Sequence, residues 1–138
     1  VHQLSSIRLT GSQIESVLRE YLDSQSDVLF AYQFGSSAGS DVFADLDVGV
    51  YLQNGQRDAE SFDRTMKMSV DLERLTGIST DVILINTAPD HLTHSITGGK
   101  LLVNRNDDER VRIITASWSR YFDIEVVRRQ WLADVVGK

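Results

Sequence analysis

Three acidic residues stand where their spacing could support chemistry. Asp45 and Asp47 lie two apart in Asp45-Leu46-Asp47-Val48-Gly49-Val50-Tyr51-Leu52, a run that alternates like a half-buried strand. Residues i and i+2 of a strand share a face, so both carboxylates point the same way with Cα atoms ~6.6 Å apart. Like charges this close repel, and a cation between them relieves the repulsion. An oxygen-only pair suits Mg2+, which is usually held by one or two carboxylates together with substrate phosphates. Asp81 begins another apolar run within Thr80-Asp81-Val82-Ile83-Leu84-Ile85-Asn86. It supplies a third carboxylate if that strand lies beside the first. Three carboxylates can hold two metals ~3.5–4 Å apart, which clamps the attacking and leaving oxygens of phosphoryl or nucleotidyl transfer.

Gly35-Ser36 provides a complementary feature. It follows Val28-Leu29-Phe30-Ala31-Tyr32-Gln33-Phe34, a β-branched and aromatic run that reads as a buried strand. A strand that breaks at a glycine and enters a helical turn offers free amides to a phosphate. Gly35 permits close backbone approach, and the Ser36 hydroxyl can donate to a phosphate oxygen.

The remaining elements must position these groups. Ser12-Gln13-Ile14-Glu15 has the form of a capping box, and the spacing predicts a helix from Gln13 to Asp23. Leu46, Val48, Val50 and Leu52 should face the core, opposite Asp45, Asp47, Gly49 and Tyr51, with Asn54-Gly55 as a turn. Asp58 to Thr76 reads as a helix, with Phe62, Met66 and Val70 spaced by four and Gly77 as its C-cap. Pro89 suits the start of a short helix ending at Gly98-Gly99, and Leu101-Leu102-Val103 a further strand. From Asp107 onward the pattern is helical, with Val111, Ile114, Trp118 and Phe122 on one face. A continuous helix to Val136 would be about 45 Å long, more than a domain of this size can cover. Part of it should bend back or meet another chain, and Trp131, beside Arg128 and Arg129, reads as an interface residue. The element order predicts an α/β (α+β) fold in which helices cover a sheet, with a long C-terminal helix. Residues 1–138 read as one domain, of which 106–138 form the C-terminal helical segment.

Composition narrows the function. With 14 basic and 20 acidic residues the chain carries a formal charge of −6, the reverse of an electrostatic nucleic-acid binder. No apolar run approaches a membrane span. There is no cysteine, which removes thiolate zinc sites and cysteine nucleophiles. With no secretory signal in view, a cytoplasmic location is expected.

The motif Phe34-Gly35-Ser36, an eight-residue spacer, Asp45-Leu46-Asp47 and then Asp81 on a later strand resembles the minimal nucleotidyltransferases of the DNA polymerase β-like superfamily. Ile85-Asn86-Thr87-Ala88-Pro89 and Gly98-Gly99-Lys100-Leu101-Leu102 also look like that family. The spacer is shorter than is usual there, the residues after Gly-Ser are Ser37-Ala38-Gly39 rather than basic, and Ala44 stands where serine is common. The resemblance implies a mixed β-sheet flanked by helices, and Mg2+, two ions, held by Asp45, Asp47 and Asp81, with ATP on Gly35 and Ser36. It implies that Asp81 helps deprotonate the acceptor hydroxyl. By size and C-terminal helix the chain looks most like the antitoxin of a toxin–antitoxin pair, in heteromeric complex with a HEPN-domain toxin ribonuclease. Such antitoxins transfer AMP from ATP to a toxin tyrosine.

Other readings are open to the same residues. Gly35-Ser36-Ser37-Ala38-Gly39 also matches G-x-S-x-G, the nucleophile elbow, with Ser37, Asp81 and His91 or His94 in hydrolase order. The chain is short for that sheet, and the Asp45–Asp47 pair would be idle. His91 and His94, three apart, read as a solvent-facing pair rather than a metal site. An antitoxin could also act by contact alone, an acidic chain on a basic partner. Transfer to a small acceptor is a further option, for which the chain has little room to build a pocket.

Overall fold

In a computed structural model, which describes residues 9–38 and 45–136, the first helix, α1, runs Gly11–Asp23. Its capping box is formed by Thr10 and Gln13, not by Ser12 and Glu15. The Thr10 amide donates to Gln13 Oε1 at 2.7 Å and the Gln13 amide to Thr10 Oγ1 at 3.2 Å. Both pairs satisfy the same four-residue pattern, and the upstream one lets the helix begin earlier. Glu15 is then free to pair with Arg19 at 3.1 Å and with Lys100 at 3.3 Å.

Strand β1 (Val28–Phe34) leads into a 3-10 turn over Gly35–Ala38, and β2 (Asp45–Leu52) follows. Then come α2 (Ala59–Thr76), β3 (Ser79–Leu84), a 3-10 turn at Ile85–Thr87, α3 (Asp90–Thr97), β4 (Lys100–Asn104) and α4 (Asp107–Val136). Gly39 and Ala44, like His2, lie outside the described residues. The sheet order is β3-β2-β1-β4. Strand β1 is antiparallel to β2 and β4, whereas β2 and β3 run parallel across the α2 crossover. The sheet is therefore mixed, as expected. No helix among the described residues is long and apolar enough to cross a membrane.

Each face of the sheet buries its own core. Leu46, Val48, Val50 and Leu52 pack with Ile14, Leu18 and Leu22 of α1 and Met68 and Leu72 of α2. On the other face Phe30 and Tyr32 pack with Ile85, Ile96 and the first turns of α4. The alternation of β2 thus places Asp45 and Asp47 on the α3–α4 side. The turn between α3 and β4 lies hard against β1: a Cβ on Gly99 would stand 2.1 Å from the Gln33 carbonyl oxygen, so only glycine fits.

Helix α2 corrects the face read from its hydrophobic spacing. Phe62, Met66 and Val70 are 64%, 48% and 57% exposed, while Ser61, Thr65, Met68, Leu72 and Thr76 face the sheet. Small hydroxyl residues satisfy themselves inside a helix and let it approach closely. Thr65 donates to the Phe62 carbonyl at 2.9 Å and Thr76 to the Leu72 carbonyl at 2.7 Å. Helix α4 stays one helix to Val136 and does not bend back. Trp118 donates to Thr97 Oγ1 at 2.8 Å and Ser117 to Asp90 at 2.7 Å, fixing its first half on α3. Val111 and Phe122, expected on its packed face, are about half exposed, and the packed positions are Ile113, Ile114, Ser117 and Trp118.

Helices α1 and α2 are joined by one polar contact. The Tyr21 hydroxyl donates to Asp71 at 2.6 Å, and Lys67 and Arg74 reach the same carboxylate at 3.1 and 3.2 Å. Hydrogen bonds from Tyr21 and Lys67 hold Asp71 below its ordinary value, and burial and the neighbouring carboxylate push the Tyr21 phenol up. Because Asp71 is depressed in the folded state, its contribution is present above its unfolded value and is lost as pH falls through the folded one. Because Tyr21 is raised, its contribution is present below its unfolded value and is lost as pH rises towards the folded one. Tyr21→Phe is expected to cost about 2 kcal/mol near neutral pH, the scale of a hydrogen bond to a charged group. It should also flatten the alkaline limb of stability while leaving part of the acid limb to Lys67 and Arg74. Thermal melts of both proteins across the pH range check this, and parallel curves would contradict it.

Candidate active site

Strand pairing brings the three acidic residues together. In the parallel β2–β3 ladder Asp47 is the Cα partner of Asp81, and Asp45 is that of Ser79. Neighbouring strands are about 4.8 Å apart, so Asp81 flanks Asp47 from the side while Asp45 flanks it along the strand. Asp45 and Asp81 are exposed and Asp47 is half-buried. Burial, then the charges of Asp81 and Asp45, push the Asp47 carboxyl above its ordinary value, with no lysine or arginine acting against them. Among the described residues, none thus supplies a counter-charge to the most buried member of the set. That environment, and an all-oxygen donor set, fit a hard divalent cation. Among the described residues no group of three acids or histidines is already closed on a common point. Like charges without a cation between them are expected to stay apart.

Gly35 adjoins this cluster from β1. Phe34 is the antiparallel partner of Asp47, and Gly35 follows with φ +73°, a left-handed conformation that glycine tolerates. A Cβ here would lie 2.6 Å from Asp47 Oδ2. The backbone of the Gly-Ser turn therefore rests directly on the central carboxylate. Ser36 is exposed beside it, with its side chain available to a ligand.

Ser37 has a different role from the one the elbow motif suggests. Its side chain is buried, and Gln33 Nε2 donates to both its hydroxyl and its carbonyl, at 3.1 and 3.2 Å. The hydroxyl lies 3.5 Å from the Phe34 carbonyl. It holds the turn together, and none of these partners is a histidine. His91 is exposed, as expected, but His94 is not the solvent-facing residue its spacing suggested. Its ring stacks on Tyr121 with centroids 4.6 Å apart, and lies 4.7 Å from Trp118 and 5.5 Å from Phe122. The signal for this was the aromatic group at 118, 121 and 122, one patch on a helix. Beside Gly35 a cleft of about 830 Å³ opens, walled by Phe34, His94, Gly99 and Lys100.

The chain matches the family model described as polymerase beta, nucleotidyltransferase, over residues 16–108. That span holds Gly35, Ser36 and all three aspartates and ends in the first turn of α4. No curated protein matches the sequence. Among solved structures, one similar chain comes from a tri-AMPylated Shewanella oneidensis HEPN toxin in complex with MNT antitoxin. It is 17% identical with a TM-score of 0.67, covering 91% of this chain and 98% of that one. Another, from a toxin–antitoxin complex with AMP-PNP, is 16% identical with a TM-score of 0.68, covering 89% and 98%. A third, from a complex of MntA and HepT, is 17% identical with a TM-score of 0.65, covering 89% and 97%. At such identities the structural likeness establishes the fold. The match to the family model goes further: this chain belongs to the polymerase beta nucleotidyltransferase family and carries its nucleotidyltransferase domain.

Proposed function

We propose that this protein is an antitoxin that transfers AMP from ATP to a tyrosine hydroxyl of a HEPN-type toxin ribonuclease, neutralising it. The observation that carries this reading is the register of Asp47 against Asp81 with Gly35 at van der Waals contact. It is supported by the solved complexes of like fold, one with a tri-AMPylated HEPN toxin and one with AMP-PNP. The whole chain acts as one nucleotidyltransferase domain. Asp45, Asp47 and Asp81 would hold Mg2+, two ions, whose charge would offset that of the triphosphate and the departing pyrophosphate. The Gly35 backbone and the Ser36 hydroxyl bind the triphosphate. Asp81, exposed at the edge of the cluster, takes the proton of the acceptor hydroxyl. The acceptor oxygen then bonds to the α-phosphorus of ATP, and the bond from that phosphorus to the bridging oxygen breaks to release pyrophosphate.

Intact-mass analysis of the chain with the toxin, ATP and Mg2+ tests the reaction. Wild type should add AMP to the toxin, and excess EDTA or Asp47→Asn should abolish the gain while the complex persists. Gly35→Ala should lower the rate by ~10²-fold, the scale of a misplaced reacting group, because its Cβ must displace Asp47. Absence of any mass gain with wild type would leave only neutralisation by contact.

The contact itself has a candidate surface. Beyond Phe122, helix α4 exposes Ile124, Val127, Trp131 and Val135 at helical spacing, with Trp131 60% exposed. Ile124, Val127 and Trp131 line an apolar groove of about 540 Å³. This is the toxin-binding surface in the proposed reading, and it serves both the catalytic and the purely steric forms of neutralisation. Trp131→Ala should weaken the complex roughly 30-fold, as loss of an interface anchor does, without lowering the melting temperature of the free chain. Calorimetric titration of toxin into each variant measures it, and unchanged affinity would move the interface elsewhere.

A further inference from the structure

The acid cluster and the Gly-Ser turn account for the phosphates and the acceptor but leave the rest of the nucleotide without a seat. We propose that the cleft beside Gly35 is the nucleobase pocket, and that His94, braced by the aromatic side chains of α4, is the surface on which the base stacks. This rests on the nucleotidyltransferase reading given above.

Four observations favour it. The first is continuity, because Gly35 both touches Asp47 and lines the cleft, so a ligand there adjoins the reacting centre. The second is size: about 830 Å³ suits a nucleoside, whereas the polar hollow under Arg112 and Arg120 holds about 260 Å³. Those two arginines are also already committed, to Glu109 and Asp90. The third is charge: no carboxylate is among the described residues that line the cleft, whose one formally charged residue, Lys100, is held by Glu15 at 3.3 Å. An acidic wall would repel a nucleotide, and this one does not.

The fourth is the way His94 is held. Tyr121 stacks on it at an interplanar angle of 23°, Trp118 inclines at 49° and Phe122 meets it edge-on at 82°. Trp118 is itself pinned through its indole N–H to Thr97, in the same helix as His94. A side chain held among three rings while it lines the cleft loses little freedom when a flat ligand settles against it. Phe34, at the end of β1, supplies a second apolar wall. Stacking of this kind tolerates every base, because every base has a π-face.

The test uses the full chain with Trp131→Phe, so that Trp118 is the remaining tryptophan and reports from beside His94. ATP with Mg2+ should change its emission. His94→Ala should weaken ATP binding roughly 5- to 150-fold, the range for loss of one base–aromatic stack, and leave the affinity for Mg2+-tripolyphosphate unchanged. His94→Phe should restore most of the loss, with melting curves confirming that each variant is folded. Equal ATP affinity in wild type and His94→Ala would overturn the inference and leave the nucleotidyltransferase reading intact. Equal losses for ATP and tripolyphosphate would overturn it too, since His94 would then serve the phosphates or the fold, and failure of His94→Phe to restore binding would exclude stacking. If wild type bound neither ATP nor tripolyphosphate, the reading beneath the inference would itself fall.

Discussion

Mutual repulsion of carboxylates is the constraint around which this molecule is arranged. Asp45, Asp47 and Asp81 gain nothing from one another, and a chain selected for stability alone would separate them or pair them with lysine. Elsewhere several described acids find partners: Asp71 with Tyr21, Lys67 and Arg74, Asp27 with Arg64, Asp90 with Arg120. At the site the backbone sets the register, so proximity is imposed by strand pairing and not by attraction between the side chains. The cost is carried by the two apolar layers, which fill both sheet faces and fix β2 between β1 and β3. In the proposed reading, a bound cation would remove this repulsion.

Backbone proximity matters as much as side chains at the reacting end of the sheet. Gly35 abuts Asp47, and Gly99 abuts the Gln33 carbonyl. The first contact sets the Gly-Ser turn against the carboxylates, and the second sets the α3–β4 turn against β1. Together they bound one end of the cleft, so a short stretch of main chain on either side of β1 shapes both the phosphate region and the proposed base pocket. Close approach also explains why the turn tolerates a buried Ser37. Its hydroxyl and carbonyl are both served by Gln33, and the turn stays rigid without any group borrowed from the ligand.

Strand positions and facing were readable because β2 alternates strictly and β1 is apolar and aromatic apart from Gln33; both strands span the residues the pattern indicated. The pairing of Asp81 with Asp47 could be suspected from spacing, but only the parallel register brought it onto the same row. Two features escaped for opposite reasons. On α2 Phe62, Met66 and Val70 face water while Thr65 and Thr76 join Met68 and Leu72 against the sheet, so a rule that weighs side chains by hydrophobicity selects the wrong face. On α4 the residues around Trp118 gather His94 from a helix more than twenty positions earlier, and no local pattern encodes such a contact. The capping box of α1 failed for a third reason, as two overlapping candidates were both valid in sequence and only the geometry of the chain entry chose between them.

The outlying half of α4 ties the fold to the proposed function. Its last turns display Ile124, Val126, Val127, Trp131, Leu132, Val135 and Val136 to solvent. Glu125 pairs with Arg128 at 2.8 Å and Arg129 at 3.5 Å, but solvent screens such exposed pairs and they add little. A segment of this length is marginal as a helix in water unless its apolar side is covered. A transferase acting on a small diffusing acceptor has no need of it. A transferase whose acceptor is a side chain on another protein must hold that protein long enough for one hydroxyl to reach the α-phosphate. In the proposed reading, an apolar lever anchored on α3, the helix that also carries His94, would provide that hold without enlarging the catalytic domain. The same helix would then link the proposed partner surface to the wall of the proposed base pocket.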